Sequence, residues 1–255
     1  MITLKSPSEL ARMRRAGRIV AEVLIALQQS IKPGVNTAEL DELAYQIITR
    51  HKAIPSFKGY RGFPASLCVS INEEVVHGIP NKKRYVKEGD IVSFDVGAIY
   101  QGYHGDAAVT VGVGEITEAA KELLAVTAGA LAAGIAQSRA GNHIGDISWA
   151  IQNYAESRGY SVVREYTGHG IGLQMHEDPQ IPNYGQPKRG FLLKPGMTFA
   201  LEPMVNQGDW HTRVLADNWT VVTKDGKLSA HFEHTIAITN GEPEILTQLA
   251  VKRET

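Results

Sequence analysis

The sequence contains one cysteine, Cys68, among its 255 residues. A single thiol cannot form an intramolecular disulfide, nor can it supply the paired thiolates of a structural zinc site. Any metal ion bound by this chain must therefore be held mainly by histidine and carboxylate side chains.

An excess of charge of either sign is also lacking. The chain has 26 basic and 27 acidic residues, and its formal net charge is -1. This balance gives no reason to expect specific binding to nucleic acid or to an anionic membrane surface. The most apolar early run, IVAEVLIAL at 19–27, carries Glu22 and is too short to span a bilayer. We therefore expect a cytoplasmic protein without a membrane partner.

Helix and strand patterns alternate in two similar rounds. The capping residues Ser6 to Glu9 predict a helix to about residue 31, and Asn36 to Glu39 predict a second one. The strand-like segments LCVSI, DIVSFDVGAIY and DAAVTVGV follow. Two further helices are predicted at about 117–137 and 145–158, and then the strands SVVREY, MTFALEPMV, NWTVVTK and HFEHTIAIT. This pattern predicts the α+β class.

One sequence offset relates the two rounds. Gly34 in IKPGV matches Gly141 in SRAGN, 107 residues later, and KEGDIVSFD matches KPGMTFALE at the same spacing. Asp95 then matches Glu202. We predict one catalytic domain over 1–255, built as two pseudo-symmetric halves at about 1–110 and 111–255 that face each other about a pseudo-two-fold axis. The alternative is a chance coincidence among helix-Gly-helix patterns.

The segment SFDVGAIYQGYHGDAAVTV predicts a hairpin. If Gln101 and Gly102 form a two-residue turn, Asp106 lies opposite Gly97, and Asp95 becomes its diagonal neighbour on one face. A shift of one residue in the turn would separate the two acids. Two carboxylates this close repel each other unless a proton or a cation lies between them.

Further acids lie in runs that should be buried. Asp95, Glu202 and Glu233 fall within SFDVGA, TFALEPM and HFEHTIAI, and His169 lies in the glycine-rich turn GHGIG. The alternative is that acids near a hairpin end are simply solvated, but buried carboxylates are rare unless they are paired or bound to metal. Four carboxylates and one imidazole suit two divalent ions. The slight negative excess would attract an amine, which points to hydrolysis of a substrate with a free amino group.

These motifs resemble type I methionine aminopeptidase of the bacterial type. The resemblance is carried by HGIP at 77–80, DVG to HGD at 95–106, GHGIG at 168–172, His176, LEP at 201–203 and FEHT at 232–235. It covers nearly the whole chain. It implies the duplicated pita-bread fold, in which helices cover the outer face of an antiparallel sheet.

The resemblance also implies a metal centre. Its ligands would be Asp95, Asp106, His169, Glu202 and Glu233, with Asp106 and Glu233 bridging two divalent ions. Cobalt, manganese, iron and zinc all fit such a site, and the sequence does not choose among them. By similarity, a metal-bridged hydroxide attacks the first peptide bond, and Glu202 carries the proton to the leaving amine.

Substrate contacts follow from the same resemblance. His176 would donate a hydrogen bond to the developing oxyanion, and His77 would contact the peptide beyond the scissile bond. The methionine side chain would lie in a pocket formed by Tyr60, Phe63, Cys68, Tyr166, Met175 and Trp219. A nucleophilic Cys68 is the competing interpretation, but no third group is evident to orient it, so we assign it to the pocket wall.

Two positions depart from the family pattern. Many relatives have threonine where this chain has Gly97, and an aromatic residue is common where it has Met175. The first change removes a hydroxyl beside the metals, and the second leaves the shape of the pocket open. Neither change affects a proposed ligand. The glycines of GHGIG are expected to let the backbone pass close to the metal site and the bound peptide.

The function implied is removal of the initiator methionine from nascent proteins when the second residue is small. The enzyme is expected to act as a monomer, with the ribosome as a candidate docking partner. Two alternatives stay open at this point. One is an X-Pro aminopeptidase or prolidase on the same fold, and the other is a metal-free binding module.

Overall fold

The structure is a computed structural model, and it describes residues 2–249. Its four helices are α1 (Pro7–Ser30), α2 (Thr37–Arg50), α3 (Glu118–Gln137) and α4 (Ile144–Glu156). Ser6 and Glu9 form the predicted capping box at the start of α1, and Asn36 caps α2 through the N–H of Ala38. Local capping chemistry therefore sets where these two helices begin.

Fifteen strands are numbered in chain order. The first eight are β1 (Ile54–Pro55), β2 (Leu67–Ile71), β3 (Glu74–Val76), β4 (Ile91–Tyr100), β5 (Tyr103–Gly112), β6 (Ser161–Val162), β7 (Thr167–Gly170) and β8 (Glu177–Pro182). The others are β9 (Thr198–Leu201), β10 (Met204–Asn206), β11 (Thr212–Val214), β12 (Val221–Thr223), β13 (Ser229–His231), β14 (Glu233–Ala237) and β15 (Glu244–Ile245). A short 3-10 turn spans Tyr60–Gly62.

Nine of these strands form one antiparallel sheet. Its main path runs β1-β4-β5-β14-β9-β7-β8, while β2 pairs with β4 and β15 pairs with β14. Two smaller sheets, β13-β10-β6 and β11-β12-β3, lie beside it. The pair β5-β14 joins the strands of the first round to those of the second, so residues near this pair come from both parts of the chain.

The helices cover one face of the large sheet. Residues of α1 and α2 pack with Phe94 and Val96 of β4, and residues of α3 and α4 pack with Phe199 and Leu201 of β9. Successive side chains of a strand point to opposite faces, so Asp95 lies on the face that the helices leave uncovered. The predicted acids therefore share a face that is free to form a site.

Backbone contacts repeat along the chain with the predicted offset. Gly34 donates its N–H to the carbonyl of Val86, and Gly141, 107 residues later, donates to Leu193. Both glycines have positive φ, 84° and 93°, which an L side chain rarely adopts. The same spacing relates the isolated bridges Asn36 with Tyr85 and His143 with Leu192. Coincidence does not explain repeated hydrogen bonds of this kind.

The second strands of the two rounds are related by a larger offset. Ile91 pairs with Gly112 in the first round, and Thr198 pairs with Ala237 in the second. The first partners are 107 residues apart and the second partners are 125 apart, so the second round contains 18 more residues between its paired strands. Under this spacing, His231 is the counterpart of Asp106.

Two threonines join the rounds by reciprocal hydrogen bonds. The Thr235 hydroxyl accepts from the Asp106 N–H at 2.9 Å and donates to the Asp106 carbonyl at 2.7 Å. The Thr110 hydroxyl makes the same two bonds to His231, at 2.8 and 2.9 Å. Thr110 and Thr235 are themselves 125 residues apart, so these clamps obey the pseudo-two-fold relation.

Some strand predictions were wrong in their extent. MTFALEPMV divides into β9 and β10, because Pro203 lacks an N–H and cannot continue the ladder. HFEHTIAIT divides at Phe232, where the chain leaves β13 and enters β14. The segments SVVREY and NWTVVTK are strands only at 161–162 and 221–223. The short strands β1, β3, β11 and β15 were missed, since two or three residues carry no periodic pattern.

The helix α3 is long and apolar enough to cross a membrane by length and composition alone. Core helices of globular proteins meet the same criterion, and Leu123, Val126 and Leu131 of α3 pack against α4 and the sheet. The single domain over 1–255 and its division near residue 110 remain predictions.

The Thr235 clamp generates a stability prediction. Thr235→Val keeps the side-chain shape but leaves the buried N–H and carbonyl of Asp106 without the hydroxyl. We expect the free energy of unfolding of the metal-free protein to fall by about 2 kcal/mol, as for other lost buried hydrogen bonds. Urea unfolding followed by circular dichroism measures it. The control Thr49→Val, on an exposed turn of α2, should change it by less than about 0.5 kcal/mol; equal effects of the two changes would contradict the clamp.

Candidate metal centre

All thirteen residues predicted for the site line one cavity of about 380 Å³. They are Tyr60, Phe63, Cys68, His77, Asp95, Asp106, Tyr166, His169, Met175, His176, Glu202, Trp219 and Glu233. The cavity lies on the sheet face opposite the helices. Five further residues line it that the sequence did not single out: Phe57, Arg61, Glu165, Thr167 and Gln180.

The hairpin places two carboxylates together as its turn predicted. Asp106 lies opposite Gly97 and Asp95 lies opposite Ala108, with Tyr100 and Tyr103 closing the turn. Burial raises the pKa of Asp95 to about 7, and a hydrogen bond with Asp106 partly opposes this. Burial, and then the charge of Asp95, raises the pKa of Asp106 well above its usual range. Each carboxyl thus makes ionisation of the other unfavourable.

Glu202 and Glu233 bring the second pair of carboxylates from the other round of the chain. Glu202 lies at the break before Pro203, and its side chain is 14% exposed. Glu233 begins β14 and is 2% exposed. Burial raises the pKa of both groups well above the usual value, and the charges of Asp95 and Asp106 raise them further. All four acids can ionise together only if cations join them.

His169 lies in a strand and not in a turn, which corrects the prediction for GHGIG. Its strand, β7, pairs with both β8 and β9, and these partners outweigh the low strand propensity of glycine and histidine. The Nδ1 atom lies 2.9 Å from the Gly170 carbonyl, which only accepts, so Nδ1 carries the proton. Burial lowers the pKa of His169 to about 3. The Nε2 lone pair is therefore free, 3.4 Å from Glu202 Oε1.

The donor set fits divalent metal ions. Asp95 Oδ1, Asp106 Oδ1 and Glu233 Oε1 are buried without a hydrogen-bond partner in the part of the chain that the structure describes. Asp106, His169 and Glu233 each offer one ligand atom, and these three atoms lie within 4.8 Å of one another. Buried oxygen atoms without partners are costly, and a cation satisfies several of them at once.

The glycines of this segment serve strand packing, not close approach to a ligand. A Cβ atom on Gly168 would lie 2.5 Å from the Ala200 carbonyl oxygen, and one on Gly170 would lie 2.1 Å from that of Asp178. Such distances exclude any side chain. The expectation that these glycines bring the backbone close to metal and peptide was therefore wrong in its physical reason.

The catalytic histidine candidates lie at the mouth of the cavity. Tyr60 Oη is 2.8 Å from His176 Nδ1, and the ring of His176 lies 4.3 Å from that of His169. Desolvation, and then the charge of Arg61, lowers the pKa of His176. His77 is half-buried with a positive φ of 62°, and burial lowers its pKa to about 4. Both imidazoles are thus neutral near pH 7.

An apolar slot adjoins the acids. Cys68 on β2 lies directly opposite Asp95 on β4, and Phe63 meets Trp219 edge-on at 5.0 Å. Met175 packs into the same cluster and is 5% exposed. Burial raises the pKa of the Cys68 thiol, which keeps it protonated and unreactive.

The space beside Gly97 is filled by another hydroxyl residue. A Cβ atom on Gly97 would lie 2.8 Å from Ser56 Cβ and 2.9 Å from Ser56 Oγ. Ser56 Oγ in turn lies 2.9 Å from His104 Nδ1. A side chain at position 97 and the present position of Ser56 therefore exclude each other, which gives this departure from the family pattern a steric reason.

One residue of the centre was missed altogether. His231 is 2% exposed, and its Nε2 atom lies 4.0 Å from Glu202 Oε2 and 3.9 Å from Glu233 Oε2. The signal that would have found it is its match to Asp106. That match depends on the 125-residue offset, which appears only once the strand register is known.

Comparison with known proteins gives consistent matches over the whole chain. Residues 11–240 match metallopeptidase family M24. Methionine aminopeptidase 1 of Bacillus subtilis is 56% identical over 249 residues, which is 98% of this chain and 100% of that protein. The methionine aminopeptidase of Clostridium acetobutylicum is 55% identical over 247 residues, 97% of this chain and 99% of that protein.

Solved structures agree with the sequence matches. The methionine aminopeptidase of Thermotoga maritima superposes with a TM-score of 0.96 at 51% identity, covering 98% of this chain and 100% of the other. The prolidase of Pyrococcus furiosus superposes with a TM-score of 0.76 at 21% identity, covering 97% of this chain and 66% of the other. The second match shows a shared fold alone.

The raised carboxyl pKa values predict how metal stabilisation depends on pH. Folded, metal-free protein retains protons that the unfolded chain has already released above its lower carboxyl pKa, so its stability falls as pH rises toward the Asp95 pKa of about 7. Bound metal displaces these protons. The increase in Tm on adding manganese to chelated protein should therefore be larger at about pH 8 than at about pH 5.5. An increase in Tm that is the same at both values would contradict proton competition.

Proposed function

Because the chain belongs to metallopeptidase family M24, we propose that this cavity removes methionine from the amino terminus of peptides. The protein is a methionine aminopeptidase, a metal-dependent hydrolase. It has the predicted duplicated pita-bread fold, which the solved methionine aminopeptidases share. The observation that carries the proposed substrate assignment is the apolar slot beside the acids, where Cys68 faces Asp95 across adjacent strands.

The slot suits an unbranched thioether side chain. Tyr60, Phe63, Cys68, Tyr166, Met175 and Trp219 would line it. Aromatic rings and sulfur atoms make favourable contacts with a polarizable methionine side chain. With that side chain in the slot, the peptide's amino group would lie beside the carboxylates, whose negative charge favours an ammonium group. The arrangement would thus fix the first residue at both ends.

The five proposed ligands are Asp95, Asp106, His169, Glu202 and Glu233. They would hold two divalent ions, with Asp106 and Glu233 shared between them. When bound, such ions supply Lewis-acid activation of water and of the scissile carbonyl. The hydrogen bond from Nδ1 to the Gly170 carbonyl directs the Nε2 lone pair of His169 into the centre.

Glu202 is proposed to move the proton. Its carboxylate would accept a proton from the attacking water and pass it to the amine that leaves as the peptide bond breaks. Burial favours the protonated form of Glu202, so the group can retain the proton between these two events. Loss of the proton to the leaving amine then returns the carboxylate to its starting state.

His176 is proposed to stabilise the negative charge that develops on the carbonyl oxygen. The Tyr60 hydroxyl can donate to Nδ1 of His176, 2.8 Å away, which leaves the ring proton on Nε2. An N–H in this position can donate to the oxyanion. His77 would contact the peptide beyond the scissile bond, and its strained backbone fixes the direction of its ring.

The proposed substrates are the amino-terminal peptides of nascent proteins, cleaved where the second residue is small. We place the enzyme in the cytoplasm as a monomer, with the ribosome as a candidate docking partner and without specificity for nucleic acid or membranes. The near-zero net charge supports the absence of a strongly charged binding surface. Cobalt, manganese, iron and zinc remain the candidate metals.

Peptide hydrolysis tests the function. Protein treated with chelator should be inactive, and adding manganese, cobalt, iron or zinc one at a time should restore release of methionine from Met-Ala-Ser. An X-Pro dipeptide should not be cleaved under the same conditions. Cleavage of the X-Pro dipeptide would favour the prolidase alternative, and absence of both bound metal and activity would favour a binding module.

His176→Ala tests the oxyanion role. Loss of the donor should lower kcat by about 10²-fold or more, while the bound metal content stays the same because His176 is not a proposed ligand. Steady-state kinetics and elemental analysis of the same samples measure both. His143→Ala, at the surface cap of α4, is the matched control and should leave kcat unchanged. Unchanged turnover in His176→Ala would remove this residue from the chemistry.

A further inference from the structure

His231 is a buried imidazole that the proposed mechanism does not use. It ends β13 and is 2% exposed. Neither ring nitrogen has a hydrogen-bond partner within residues 2–249. Buried polar side-chain atoms nearly always have a partner, so a ring without one at the edge of a metal centre points to a role there.

The ring faces two of the carboxylates. Its Nε2 atom lies 4.0 Å from Glu202 Oε2 and 3.9 Å from Glu233 Oε2. The other oxygen of Glu202, Oε1, lies 3.4 Å from Nε2 of His169. Glu202 therefore lies between two imidazoles, one toward each of its oxygens. A shift of less than about 1 Å would bring His231 into hydrogen-bond range.

The duplicated fold explains why His231 faces the centre. Its counterpart in the first round is Asp106, and the backbone of each residue is held by a threonine from the other round. The two hydrogen bonds from Thr110 fix the N–H and the carbonyl of His231 as firmly as Thr235 fixes those of Asp106. The ring is therefore held in place by the same device that places a proposed ligand.

We propose that His231 is a positioning residue that donates its Nε2–H to the carboxylates of Glu202 and Glu233. A neutral imidazole has one N–H, and on Nε2 this proton lies toward both acceptors. Such a bond would fix the plane of the Glu202 carboxylate and hold it ready for proton transfer. His231 is not in the group of ligand atoms within 4.8 Å of one another, so the geometry favours donation to a ligand over ligation.

Two variants and a control test this inference, which rests on the proposed function. His231→Leu removes the donor, His231→Gln supplies an amide donor in its place, and His51→Leu removes an imidazole from the distant α1–α2 contact. Each protein is stripped with chelator and titrated with cobalt. Cobalt affinity, the visible absorption spectrum of bound cobalt, and kcat and KM on Met-Ala-Ser are then measured.

We expect His231→Leu to weaken cobalt binding by about 10-fold to 100-fold, as for other partners of metal ligands. The cobalt spectrum should shift, and kcat should fall about tenfold with KM changed less than about twofold. His231→Gln should recover most of each loss. His51→Leu should match the wild type in all four measurements, because its ring pairs with Glu22 far from the centre.

Three outcomes would overturn the inference. The first is a His231→Leu protein with the cobalt affinity and spectrum of the wild type. The second is a folded His231→Gln protein that loses as much as His231→Leu. The third is X-ray absorption showing one imidazole fewer at cobalt in His231→Leu, which would make His231 a ligand. If the wild type itself releases no methionine, the proposed function fails, whereas the cobalt affinity and spectrum still decide the role of His231.

Discussion

Repulsion among four nearly buried carboxylates is the constraint on which the rest of the structure depends. Asp95, Asp106, Glu202 and Glu233 line one cavity, and burial raises the pKa of every one of them. A fold that collects these groups is stable with all of them ionised only when cations bind. Metal binding and the protonation of the centre are therefore two sides of one equilibrium, and folding stability is linked to both.

The duplicated sheet is what brings the acids together. Each round of the chain places one acid on its first strand, Asp95 or Glu202, and these strands lie on either side of the pair β5-β14. The Thr110 and Thr235 hydroxyls then join the rounds at the level of the acids. The main-chain geometry of the centre is set by contacts between halves, so neither half could hold the centre alone.

Local signals in the sequence determined some features and missed others. The turn at Gln101 and Gly102 permitted a register prediction, because a two-residue turn fixes which residues lie opposite each other, and the observed pairing agrees. The strand at His169 was not predictable from propensity, because its two partners, β8 and β9, come from later in the chain. His231 was hidden for a third reason, since an 18-residue difference in spacing separates it from the offset visible in the sequence.

That difference in spacing also shows how selectivity arises on a symmetric scaffold. In the first round, two residues join the paired strands β4 and β5, whereas in the second the chain runs from Leu201 to Glu233 and forms β10 to β13 on the way. Trp219 lies within this longer connection and closes the apolar slot against Phe63. Positions related by the pseudo-two-fold supply charge and clamp the backbone, while the added segment supplies a wall that has no counterpart. A metal centre can thus arise from duplication, but a slot that accepts one kind of side chain requires the two halves to differ.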